Sequence, residues 1–372
     1  YDLQLKGAGR TPFSRRGDGR AALAPMLREY LMGEAMHALG IPTTRGLAVV
    51  TTGETVYRET PLAGAILTRV AASHLRIGTF EYAALHEDPS LLRALADYTI
   101  QRHYPECAHT DYVTFLASVI DRQAYLVAQW LLVGFVHGVM NTDNVALSGE
   151  TLDYGPCAFI DRYDRGSVFS SIDHNGRYAY GQQSEIMQWN LARFAETLIP
   201  LLHPDTAKAL EMATDQVTQF HSVFERYFQE GMRRKLGLPQ TSDSPAALIS
   251  ALLSLMQAAR LDYTQTFVDI ATTNTTQISE PLQAWHRKWL AYISEKGLSL
   301  ETVFATMAKA NPRIIPRNLH VQRALDAATE AGDYAPLHQL VAALRNPYTV
   351  TSESRVYQDP GPDHPYYTFC GT

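Results

Sequence analysis

Lysine is almost missing from the first half of this chain. Lys6 is the only lysine before Lys208, while sixteen arginines share that span. Cysteine is scarce too. Cys107, Cys157 and Cys370 offer neither metal-ligand spacing nor a disulfide framework, which excludes a stapled secreted scaffold and fits a reducing, cytoplasmic setting. Cys370, near the end, reads as an ordinary thiol or as a redox handle. No apolar run reaches the roughly 18 residues that span a bilayer; WLLVGFVHGVM is short and reads as a buried segment. The opening residues do not read as a signal peptide. Long runs of one charge are also absent. With 19% charged residues and a net charge of −6, nothing points to a nucleic-acid or membrane-surface binder. The first residues, YDLQLKG, form an alternating strand with no lead-in, which reads as a start inside a longer protein.

What is present is a globular composition with 46% hydrophobic residues, enough for a sizeable core. At 372 residues two lobes are expected. Residues 1–8 predict a strand with Leu3 and Leu5 on one face. A Gly- and Arg-rich loop follows, then a helix over 21–39 closed by Gly40. GLAVVTTGE, TVYRET and GAILTRVA read as strands. From about residue 90 helical patterns dominate: 90–103, 111–136, 185–202, 205–235, 245–270, 280–295 and 318–344. Ser244-Pro245 supplies a helix start, and Gly237 with Pro239 a stop. The fold class is α+β: a β-containing part over 1–88, truncated at its start, and a mostly helical part over 89–372. A small lobe, a helical lobe and a catalytic loop between them is the layout of a protein-kinase-like fold.

That loop is HGVMNTDN, residues 137–144. It has the outline of a phosphotransferase catalytic loop, with His137 first and Asn144 last. The usual proton-accepting Asp is missing; Val139 stands there. Asp143 is the alternative base or a carboxylate orienting Asn144. A base displaced by four positions suggests that the reacting phosphorus is the α- rather than the γ-phosphate.

The lone Lys6 fits a cation that reaches both phosphate oxygens and a carboxylate. Glu29 and Glu34 both lie near apolar stripes of the 21–39 helix, so spacing does not choose between them as its partner, although Glu29 is preferred. A Mg²⁺ ion shared with phosphates needs one or two protein oxygens. Asn144 is one. Asp153 in LDYGP matches the Asp-aromatic-Gly pattern, and Asp161 in FIDRYD competes with it. Arg69 and Arg76 flank TRVAASHLR and are placed to clamp phosphate oxygens.

Five stretches in this order, QLKGAGRTPFSRRGDGRA, LREYLMGEAMHALGIPTTR, ILTRVAASHLRIG, GFVHGVMNTDN and LDYGP, resemble the selenoprotein O family of kinase-fold pseudokinases, and the likeness continues through NPRIIPRN. The resemblance implies protein adenylylation: AMP passes from ATP to Ser, Thr or Tyr hydroxyls of proteins, and pyrophosphate leaves. ATP would bind flipped, presenting its α-phosphate. By the same carry-over Asp143 is the proton acceptor and Asn144 and Asp153 bind Mg²⁺ or Mn²⁺. Lys6, Asp18, Gly19, Arg69, Arg76 and Asp153 contact the nucleotide, and Glu29 pairs with Lys6. Asp161 becomes structural or part of an activation segment. The implied partners are ATP and protein substrates, without nucleic acid or membrane, in a bacterial cytoplasm. The chain departs from the family in lacking its upstream glycine-rich loop and in ending FCGT, with Cys370 alone. Uridylylation from UTP, γ-phosphoryl transfer and a catalytically silent binding module are the alternatives.

Overall fold

The computed structural model describes residues 1–372 except 13, 15, 16, 87, 109, 240–244, 363–365 and 370–372. The expected cap at Ser244 and the thiol of Cys370 lie outside the described residues. The first part is an antiparallel sheet. Strands β1 (Asp2–Lys6) and β2 (Ala21–Ala22) are followed by helix α1 (Leu23–Ala38) and the long pair β3 (Arg45–Tyr57) and β4 (Pro61–Ala71). β4 is the hub: it pairs with β1, β2 and β3. α1 packs across β3 and β4 and stops where Gly40 takes φ 77° and donates its N–H to His37 O at 3.0 Å, a left-handed position that glycine occupies without penalty.

β1 turns its apolar face outward. Leu3 and Leu5 are 67% and 58% exposed, while Gln4 and Lys6 point inward. The reason is electrostatic: α1 and β4 bury Glu29 and Arg69 beneath the sheet, and the polar side chains of β1 reach them. Buried charge without partners costs more than two exposed leucines.

The rest is mostly helical. Helices α2 (Ile77–Ala84), α3 (Pro89–His103) and α4 (Tyr112–Val133) precede a two-residue hairpin, β5 (Phe135–Val136) with β6 (Ala158–Phe159). Nine helices follow among the described residues: α5 (Gln183–Leu202), α6 (Thr206–Thr218), α7 (Phe220–Lys235), α8 (Ala246–Ala259), α9 (Tyr263–Asp269), α10 (Glu280–Glu295), α11 (Leu300–Ala310), α12 (Asn318–Glu330) and α13 (Ala335–Leu344). α4 is the central rod. It packs on α5 and α7, and Phe115, Val119, Ala124, Val127 and Ala128 are fully buried. Asp111 caps it by accepting from Thr114 N at 3.0 Å, which satisfies one orphan amide of its first turn. Phe194 of α5 stands edge-on to Phe80 of α2 and Phe115 of α4 at 5.0 and 5.6 Å. The fold is thus α+β, a small antiparallel sheet joined to a helical body. Among the described residues no helix is long and apolar enough to cross a membrane.

Three expected long helices are each two. The 205–235 pattern breaks at Gln219, the 245–270 pattern at Arg260 in a left-handed conformation (φ 49°), and the 318–344 pattern at Gly332 (φ 65°). Helical periodicity continued across breaks of a few residues, so the pattern hid them. The 111–136 helix ends at Val133 because Gly134 turns left-handed and the chain enters β5. Helices α2 and α11 were not anticipated. Each buries few apolar positions, Ile77, Phe80 and Ala83 in one and Val303 and Met307 in the other.

Candidate active site

The β5–β6 hairpin encloses residues 137–157, the loop that carries the candidate chemistry. His137 braces it. Its ring is fully buried; Nε2 faces Leu152 O at 2.9 Å and Nδ1 accepts from Val139 N at 3.4 Å. Burial lowers its pKa, and the two contacts suit a neutral ring protonated at Nε2. His137 therefore ties residue 139 to residue 152, one position before Asp153. Gly138 adopts φ 84°, and a Cβ there would stand 2.3 Å from Pro156 O, so only glycine lets the two halves of the loop close this tightly.

Asp153 itself has φ 71°, an uncommon conformation for a residue with a side chain. It sits among cations. Its Oδ1 accepts from Lys6 Nζ, and from Arg69 Nη2 at 3.3 Å. Lys6 Nζ also donates to Glu29 Oε2 at 2.8 Å. Arg69 donates through Nε to Glu29 Oε1 at 2.7 Å and through Nη1 to Gln4 Oε1 at 2.9 Å. Glu29 and Arg69 are only 4% and 2% exposed, so each charge depends on its partners. Burial works against the ionised Asp153 carboxyl, yet Lys6, Arg69 and Arg76 prevail and hold its pKa well below the usual carboxylate range. Burial likewise opposes the charges on Lys6 and Arg69, and the carboxylates Asp153 and Glu29 raise both above their ordinary values.

The two pairs that the sequence left open separate cleanly in space. Glu29 lies beside Lys6, whereas Glu34 accepts from Arg45 at 2.9 Å and from Arg345 at 3.1 Å. Asp153 lies in the Lys6–Arg69 cluster, whereas Asp161 binds Arg317 Nη1 at 2.8 Å and Asn318 at 3.4 Å, together with Asp262 on the same guanidinium. Arg76 stands at the edge of the cluster. Burial and the neighbouring Arg69 lower its pKa, against the attraction of Asp153, Asp143 and Glu29. Asp18 and Gly19 are set apart from these contacts. Asp18 accepts from Arg58 at 3.0 and 3.1 Å and from Arg20 N at 2.9 Å, which hold its pKa at about 2. Gly19 closes that loop through its carbonyl, which accepts from Gly9 N at 3.0 Å.

Asp143 and Asn144 form a single 3₁₀ turn, Thr142–Asn144. Asn144 Nδ2 donates to Val139 O at 3.0 Å, which leaves its Oδ1 for another partner. Asp153 Oδ2 makes no hydrogen bond among the described residues. Among those residues no group of three or more His, Cys, Asp or Glu could cage a metal ion. One or two hard oxygens are what a Mg²⁺ or Mn²⁺ ion shared with phosphates and water asks of a protein, and an amide oxygen and a carboxylate oxygen are of that chemical type. Sequence reasoning missed two contributors: Gln4, which holds Arg69, and the brace role of His137. Only the alternation of β1 hinted at the first.

Comparison with known proteins decides the family. Residues 1–345 match the model of the family described as protein adenylyltransferase SelO. The chain belongs to that family. It is 55% identical over 375 residues to the protein nucleotidyltransferase YdiU of Anoxybacillus flavithermus, covering all of this chain and 78% of that protein. It is 53% identical over 380 residues to the protein of the same name from Bacillus cereus, with the same coverage. As a SelO-family member the chain is a protein nucleotidyltransferase, an enzyme with a nucleotide co-substrate.

Proposed function

We propose that this SelO-family chain transfers AMP from ATP to Ser, Thr or Tyr hydroxyls of proteins, on a two-lobed kinase-like fold. Residues 1–88 would belong to the small lobe and 89–372 would form the helical lobe. The observation that carries the reading is Asp153 held ionised by Lys6 and Arg69, in the loop where Val139 occupies the usual base position and Asp143 stands one residue before Asn144.

In this mechanism Asp143 accepts the hydroxyl proton as the oxygen attacks the α-phosphorus. The bond from that phosphorus to the bridging oxygen breaks, and pyrophosphate leaves. Arg76, Lys6 and Arg69 supply positive charge to the phosphates, and Glu29 fixes the last two against α1. Asp18 and Gly19 would contact the nucleotide from their loop. Asn144 Oδ1 and Asp153 Oδ2 would hold Mg²⁺ or Mn²⁺, which neutralises phosphate charge. The protein contributes positioning and preorganised charge.

Intact-mass spectrometry of a protein substrate incubated with ATP tests this. A gain of one AMP per modified hydroxyl, absent with Asp143→Ala, supports it. A gain of one phosphate would replace it with γ-phosphoryl transfer, and a gain of UMP in preference to AMP when UTP is also present would change the nucleotide.

A further inference from the structure

The first turn of α2 and the turn carrying Asp143 are locked together backbone to backbone. Ile77 N donates to Val145 O at 3.0 Å and Leu147 N to Leu75 O at 2.9 Å, and Arg76 pairs with Ala146 in an antiparallel bridge. Gly78 lies one residue beyond Ile77 and Asp143 two before Val145, and the two residues come against each other. A Cβ built on Gly78 would lie 2.3 Å from Asp143 Oδ1, 3.4 Å from its Cγ and 3.6 Å from its Cα.

Backbone freedom does not explain this glycine. Gly78 lies inside a helix and has no positive φ, where alanine is the better residue. What the position demands is space, and the group filling that space is a carboxylate. The backbone hydrogen bonds of Ile77 with Val145 and of Leu147 with Leu75, next to this contact, keep the start of α2 and the turn from sliding apart. A methyl group at 78 is accommodated only by swinging the Asp143 carboxylate about its side-chain torsions.

We propose that Gly78 is a positioning residue for the transfer reaction: its missing side chain forms the seat in which the Asp143 carboxylate rests, and so fixes the proton acceptor relative to the incoming hydroxyl. The proposal rests on the reading of Asp143 as that acceptor. Displacing a catalytic group by about 1 Å can cost on the order of 100-fold in rate.

Gly78→Ala, Asp143→Ala and the double variant are compared with the parent in the full-length protein, by transfer kinetics, Mg-ATP affinity and thermal unfolding. Gly78→Ala is expected to lower kcat about 100-fold, with KM for ATP and ATP affinity within about twofold of the parent. A merely structural glycine would not produce that split. In unfolding, Gly78→Ala is expected to raise Tm more in the Asp143→Ala background than in the parent, because the carboxylate it collides with is gone. This coupling is readable even if Gly78→Ala lowers Tm in the parent. Unchanged kcat for Gly78→Ala while Asp143→Ala is inactive, or strictly additive Tm changes, would overturn the seat. Full activity of Asp143→Ala would instead overturn the base assignment.

Discussion

Glu29 holds two cations at once, Lys6 through Oε2 and Arg69 through Oε1. Removing it takes the carboxylate from a guanidinium that is 2% exposed and leaves it Asp153 at 3.3 Å and the neutral Gln4. Glu29→Ala is therefore expected to destabilise the protein by about 3–5 kcal/mol, measured by urea unfolding; a change below about 1 kcal/mol would mean that the cations find other partners. The lysine end of this arrangement was legible because Lys6 is so rare in its surroundings. The carboxylate end was preferred as Glu29, and the structure pairs it so, but helical spacing did not decide it. Glu29 and Glu34 are both buried on α1, and their partners Arg69, Arg45 and Arg345 come from elsewhere in the chain. Helical spacing records which face a residue lies on, not what crosses from another element. The same limit applied to Asp153 and Asp161, which both lie near apolar runs; Arg317, which claims Asp161, is 156 positions away.

At the scale of elements, the strand-rich start, the Gly40 stop and the helices near 90–103, 185–202 and 280–295 could be read from periodicity and caps. Joined helices could not, since breaks at Gln219 and Arg260 do not interrupt an apolar stripe. Asp111→Ala is expected to remove the α4 cap and cost about 1 kcal/mol, seen as a lower urea midpoint. The end of α7 behaves oppositely. Lys235 is 3% exposed, its ammonium lies 4.0 Å from the centre of the Phe267 ring, and burial lowers its pKa to about 7. A folded-state pKa below the ordinary 10.5 means that the charged form destabilises the fold at and below pH 7, and that the penalty fades as pH rises towards 10.5. Lys235→Met is expected to stabilise by about 2–4 kcal/mol at pH 7 and by much less at pH 10. Equal gains at both pH values would contradict this account.

For the whole molecule, buried histidines set the acid limit. Burial, with Arg69 and Arg76 nearby, lowers the pKa of His74 to about 4, and burial with Arg102 and Arg122 does the same for His103. His137, His286 and His320 are lowered by burial as well. Between about pH 6.5 and 4 the unfolded chain binds protons that the folded chain does not, so stability falls as pH falls through that window. Tm should drop steadily from pH 7 to 5; a flat profile would show that these rings titrate normally. The two-part architecture was visible in composition, because strand-forming and helical stretches are segregated along the chain. Its assembly was not, because β4, α1 and the 137–157 loop meet only through contacts between distant positions.

The central claim is that the site delivers the α-phosphate. The most direct test incubates the full-length protein with Mg²⁺ and ATP labelled at either the α- or the γ-phosphate, with Asp153→Asn in parallel. Asn tolerates positive φ, so this variant removes charge while keeping the turn. Label from the α-phosphate alone, lost in Asp153→Asn, is the predicted result. Label from the γ-phosphate, or α-label undiminished in the variant, would contradict the account.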